Sequence, residues 1–99
     1  MKTAAICSSM KFSAEMKQIA FLLETRHGIN VLQCIEDPDR EITAQEKKAL
    51  EAAHRRKIEL ADAIYVVDIG GYIGQSVGQE IEFARSLGKE IIYHSRFSL

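Results

Sequence analysis

Glu80 is the residue whose type and position most suggest chemistry. The apolar run Ala63-Ile64-Tyr65-Val66-Val67 reads as a buried strand, and the glycine-rich stretch Asp68-Ile69-Gly70-Gly71-Tyr72-Ile73-Gly74-Gln75 follows it. A helix then opens near Ser76, where Ser76 and Gln79 have capping-box spacing. At roughly 100° per residue, Val77, Ile81, Phe83, Ala84 and Leu87 share one arc, with Glu80 near its middle. Glu82 points the opposite way, with Arg85, Ser86 and Lys89. A helix N-terminus favours the ionised form of Glu80, and apolar surroundings favour the neutral form. A poorly hydrated carboxylate in a cleft can attack a sugar's anomeric carbon or stabilise an oxocarbenium-like transition state. A purely structural carboxylate, paired with the helix cap or with Lys11, fits the same pattern.

The turn before this helix presents backbone N–H groups, and the helix start behind it favours an anion. Ser9, Lys11 and Ser76 are candidate hydroxyl and ammonium donors to a phosphate, and Asp68, Gly70, Gly71 and Tyr72 are candidate walls of the same site. The glycine pattern is neither a Walker loop nor a dinucleotide fingerprint, and on the glycines alone tight-turn geometry is the better explanation.

The elements that must position these residues alternate strictly. Strands are expected at Thr3 to Cys7, Ile29 to Ile35, Ala63 to Asp68 and Glu90 to His94. Helices are expected from Ser13 to about His27, with Gly28 as the terminator, from a Thr43–Glu46 capping box to about Leu60, and from Ser76 to Leu87. Such alternation implies a parallel sheet covered by helices on both faces. Right-handed crossovers give the strand order 2-1-3-4, a four-stranded flavodoxin-like three-layer sandwich spanning residues 1–99 as one domain. A crevice then opens beyond the carboxyl ends of strands 1 and 3, where Ser8 to Phe12 and Asp68 to Gln75 lie and Glu80 enters close by.

Composition excludes several classes of function. Thirteen Lys and Arg balance fourteen Asp and Glu, and the densest basic cluster, Arg55-Arg56-Lys57, is flanked by Glu51 and Glu59, so nucleic-acid binding is not expected. No apolar run approaches the roughly 18 residues of a membrane span. Met1-Lys2-Thr3 precedes only a short apolar run, so no secretory leader is expected. Cys7 and Cys34 are expected to be reduced thiols in the cytoplasm. Cys7 reads as a buried strand residue, with a thiol-based role near a helix start as a lesser alternative. Cysteine and histidine spacing shows no metal site, and no cofactor is expected. With no further helix after strand 4, one apolar side of strand 3 is left open, so a homo-oligomer, most simply a homodimer, is expected, in which the partner or the Phe97 to Leu99 tail covers that side.

Three segments together carry a resemblance. Ile6-Cys7-Ser8-Ser9-Met10-Lys11, Ala61-Asp62-Ala63-Ile64-Tyr65-Val66-Val67 and Gly78-Gln79-Glu80-Ile81-Glu82-Phe83-Ala84 resemble the nucleoside 2-deoxyribosyltransferase superfamily, which includes 2′-deoxynucleoside 5′-phosphate N-hydrolases. The likeness covers most of the chain in order, through short motifs. It implies a flavodoxin-like, dimeric or larger assembly with Glu80 as nucleophile, and a phosphate or ribose role for Ser9 and Lys11. Ser76 is the nearest match to a serine just ahead of the glutamate, at a different offset. The superfamily's general-acid aspartate falls on His54, eight residues before Asp62. Histidine can protonate a leaving base near neutral pH. His54 equally fits a packed position beside Ile58. An aromatic residue of strand 1 in the superfamily is Ala5 here, with Tyr72 or Phe12 as substitutes, and a contribution from beyond strand 4 has only Ser95 to Leu99 to supply it.

The expected function is therefore an N-glycosidase or deoxyribosyltransferase acting on a nucleoside or nucleoside 5′-monophosphate, with Glu80 and His54 catalytic. The alternative is a non-catalytic nucleotide-binding or interaction module of the same fold.

Overall fold

A computed structural model describes all residues from Met1 to Leu99. Its elements are β1 (Thr3–Cys7), α1 (Ser13–His27), β2 (Asn30–Leu32), α2 (Ala44–Leu60), β3 (Ala63–Val66), α3 (Gln75–Ser86) and β4 (Glu90–Tyr93). Short 3-10 turns cover Met10–Phe12, Ile69–Gly71 and His94–Arg96. The strands form one parallel sheet in the order β2-β1-β3-β4. This is the flavodoxin-like arrangement that the alternation predicts. No helix is long and apolar enough to cross a membrane.

Period-2 alternation divides the core. Ala4, Ile6, Tyr65 and Val67 face α1, which supplies Met16, Ile19, Ala20 and Leu23. Ala5, Cys7, Ile64 and Val66 face the other way, against Ile58 of α2 and Val77, Ile81 and Ala84 of α3. The alanines of β1 let helices from both sides approach the central strand closely. The apolar stripe of α3 is thus turned onto the sheet, with Glu80 inside it.

The tail answers the question of what covers β3. Phe97 packs edge-on against Tyr65 at 5.6 Å and against His27 at 5.0 Å between ring centroids, and Leu99 joins the same core. The carbonyl of Leu99 lies 3.1 Å from His27 Nε2. Tyr65 is fully buried and Val67 nearly so. The tail, one of the two expected covers, packs on this face.

Several boundaries differ from expectation. β2 pairs only from Asn30 to Leu32, shorter than Ile29 to Ile35. Past Leu32 side chains replace the ladder: the Gln33 carbonyl accepts from Lys57 Nζ at 2.7 Å, and Cys34 Sγ donates to the Ile6 carbonyl at 3.3 Å. β3 ends at Val66 rather than Asp68, and β4 at Tyr93 because His94 begins a 3-10 turn. The Thr43–Glu46 capping box forms as expected. The Ser76–Gln79 box does not, because α3 starts one residue earlier with Gly74 at its cap. Ser13 is the first residue of α1, and Ser9 instead caps the 3-10 turn that runs into that helix.

Candidate active site

The carboxyl ends of β1, β2 and β3 open into a cavity of about 610 Å³ between α2 and α3. Ser8 and Ser9 reach it from the end of β1, and Cys34 and Ile35 from the end of β2. Tyr72, Gly74, Gln75 and Ser76 form the turn into α3. On α2, Lys47, Glu51 and His54 recur at helical spacing and face the cavity from one side. Glu80 faces it from the second turn of α3.

Two helices that are distant in sequence meet at this point. His54 Nε2 is 3.6 Å from Glu80 Oε2 and 3.5 Å from Cys7 Sγ, and His54 Nδ1 is 3.8 Å from Cys34 Sγ. The side chain of His54 is 10% exposed and that of Glu80 24%. Both expected environments of His54 therefore coincide, since it is packed against the sheet and also lines the cavity. The stacking of the Arg55 guanidinium over the Phe83 ring, 4.7 Å from its centroid, pins α2 to α3 beside the pair.

Burial dominates the electrostatics. It pushes the Glu80 carboxyl up to about 7, with the Glu51 carboxylate adding to the rise and the Cys7 thiol and Arg55 opposing it. Burial, then the Lys57 cation, lowers His54 below its ordinary value. A contact with ion-pair geometry thus joins two groups whose surroundings favour their neutral forms. The two groups lie close enough for the protonation of one to bear on the chemistry of the other. Both thiols rise: Cys7 through burial, Glu80 and Cys34, and Cys34 through burial and Glu80 to about 11. Cys7 is a protonated thiol at neutral pH. This overturns the alternative of a helix-activated thiolate, because the neighbouring charge is negative and water is excluded.

Of the residues singled out from sequence, Ser9, His54, Tyr72, Ser76 and Glu80 line this one cavity. Four others lie outside its lining. Lys11 packs its ammonium 4.1 Å from the centroid of the Tyr72 ring and 5.6 Å from that of Phe12. Asp68 is buried and accepts from the Ser95 backbone N–H at 2.8 Å and the Ser95 hydroxyl at 2.6 Å, which ties the turn after β3 to the C-terminal tail. Gly70 and Gly71 adopt φ of 66° and 80°, the left-handed backbone that this turn requires. Lys47, Glu51, Lys57, Cys34 and Cys7 were not singled out for this site. The helical spacing of Lys47, Glu51 and His54 was the available signal for the first two, and the topological rule about strand ends for Cys34.

No protein-family model, curated protein or solved structure matches this chain.

Proposed function

We propose that the protein cleaves the N-glycosidic bond of a nucleoside or nucleoside 5′-monophosphate. The observation that carries this reading is the approach of His54 and Glu80, from separate helices, within one cavity large enough for such a substrate. We take the pair to hold one proton near neutral pH, an arrangement that suits the reaction. In its reactive arrangement His54 holds the proton and Glu80 is the carboxylate. Glu80 attacks C1′, and the C1′–N bond breaks with its electron pair passing to the base. The imidazolium gives that base its proton. His54, now neutral, takes a proton from a water that attacks C1′ and releases Glu80; a second base in place of water makes the reaction a transfer. The motif resemblance to nucleoside 2-deoxyribosyltransferases implies the same role for Glu80.

A 5′-phosphate is accommodated by the Ser9 and Ser76 hydroxyls and the N-terminal turn of α3, with Lys47 and Lys57 as cations on the α2 wall. The two free thiols support a reducing, cytoplasmic setting. The same resemblance supports a homodimer. Met10 and Tyr72, which line the cavity, and Ile73 next to Tyr72 in the chain are exposed apolar residues that a second copy would cover. Light scattering that gives a monomer at micromolar concentration removes that assembly.

The test is incubation with a panel of ribo- and deoxyribonucleosides and their monophosphates, with free base followed by chromatography. Wild type is expected to release base, and Glu80→Ala to release none. Release that survives Glu80→Ala overturns the reaction. Binding without release by either protein identifies a nucleotide-binding module instead.

A further inference from the structure

The same three buried side chains form a set that spacing in the sequence does not reveal. Ligand atoms of Cys7, His54 and Glu80 all lie within 4.8 Å of one another. We propose that Cys7 Sγ, His54 Nε2 and Glu80 bind a zinc ion on the cavity floor, and that zinc thereby switches the site off.

Geometry supports the site first. A tetrahedral zinc with Zn–S of about 2.3 Å and Zn–N and Zn–O of about 2.1 Å separates sulfur from nitrogen by about 3.6 Å and nitrogen from oxygen by about 3.4 Å. The observed separations are 3.5 Å for Cys7 Sγ to His54 Nε2 and 3.6 Å for His54 Nε2 to Glu80 Oε2. The nitrogen–oxygen separation exceeds a good hydrogen bond, and both separations suit a shared ion at the centre. The ligands project from a central strand and two packed helices, so their positions are set by the core and not by a loop.

Charge supports it next. One thiolate, one carboxylate and one neutral imidazole bring a divalent ion to zero net charge, the condition for burial without a further counter-ion. Binding displaces the Cys7 thiol proton, so it strengthens as pH rises. The donor set of sulfur, nitrogen and oxygen suits zinc and not magnesium or calcium, which demand oxygen.

A partner for the histidine completes the arrangement. Cys34 Sγ lies 3.8 Å from His54 Nδ1 and is positioned to accept the Nδ1–H, which leaves the Nε2 lone pair for the metal. His54 and Glu80 line the cavity, which gives an ion its way in from that side.

Zinc binding does not depend on the glycosidic reading, whereas the inhibition rests on it: zinc on His54 Nε2 takes the lone pair that would carry the proton to the base, and it withdraws charge from the Glu80 carboxylate. The full chain, stripped with chelator and kept reduced with a phosphine, is titrated with Zn²⁺ by calorimetry and with Co²⁺ by absorption. One ion per chain is expected, with the visible bands of tetrahedral cobalt and a near-ultraviolet thiolate-to-cobalt band. Cys7→Ser should abolish the thiolate band. His54→Gln and Glu80→Gln should each weaken zinc by at least roughly tenfold, while Glu82→Gln, at an exposed side chain on the same helix, should bind as wild type does. Circular dichroism checks that each variant is folded, and the near-isosteric Glu80→Gln keeps the test decisive where Cys7→Ser fails to fold. No binding at micromolar zinc, or binding unchanged in Glu80→Gln, overturns the site. Base release that is lost with zinc and restored by chelator is the expected inhibition. Release indifferent to zinc, with the ion bound, overturns the switch alone. Absence of base release in any condition removes the glycosidic reading and leaves the titration result standing.

Discussion

His54 Nε2 stands 3.6 Å from Glu80 Oε2, and each side chain reaches that point from a different helix. Neither helix alone would single out the pair. α2 presents His54 in a mixed polar stripe, and α3 presents Glu80 in an apolar one. Together they place a carboxyl group and an imidazole where water is scarce, and burial shifts each toward its neutral form.

Base release should follow a bell-shaped pH profile with its maximum near neutrality. On the acid side the pair gains a second proton and Glu80 is no longer a nucleophile; on the alkaline side it loses its only proton and His54 is no longer an acid. Initial rates across a buffered pH series, followed by base absorbance, check this. A flat profile across neutrality would separate the chemistry from this pair.

Glu80 should also weaken the fold at alkaline pH. Its carboxyl rises from 4.5 to about 7 on folding, so the folded state holds a proton that the unfolded state has lost between those values. Stability from this group is therefore full below the lower value and falls as pH rises through the higher one. His54, lowered on folding, works from the other side and takes stability away as pH falls below its ordinary 6.5. Glu80→Gln should gain about 2 kcal/mol near pH 8 and little near pH 5, read from urea unfolding at the two pH values. Equal effects at both would show that burial does not set the carboxyl's state.

Lys47 rather than Lys11 should carry the response to a 5′-phosphate. Lys47 lines the cavity, whereas Lys11 packs on the Tyr72 ring outside its lining. Lys47→Ala should raise KM for a nucleoside monophosphate on the order of tenfold and leave KM for the matching nucleoside nearly unchanged. Lys11→Ala should change both little. The reverse ranking would return the phosphate role to the loop after β1.

Asp68 should act on stability, not on catalysis. Two hydrogen bonds from Ser95 occupy its carboxylate and hold the tail against β3. Asp68→Asn should cost about 1–3 kcal/mol in urea unfolding, with kcat and KM for base release close to wild type. A raised KM with stability intact would identify Asp68 as a substrate contact.

The sequence by itself determined the alternation of strand and helix, the strand order and the Thr43–Glu46 start of α2. It also determined that Glu80 lies on the buried face of its helix. These follow from local periodicity, from capping chemistry and from the handedness of crossovers, all of which are written along the chain. Tertiary structure decided the rest. The path of the chain into α3 gave the cap to Gly74 and left Ser76 free, and Lys11, in the 3-10 turn after Ser9, stacks on the Tyr72 ring instead of joining the cavity lining. Periodicity marks which face of a helix is covered, but not what covers it. Only the packing of α2 and α3 on one side of β1 set His54, Glu80 and Cys7 around a single point.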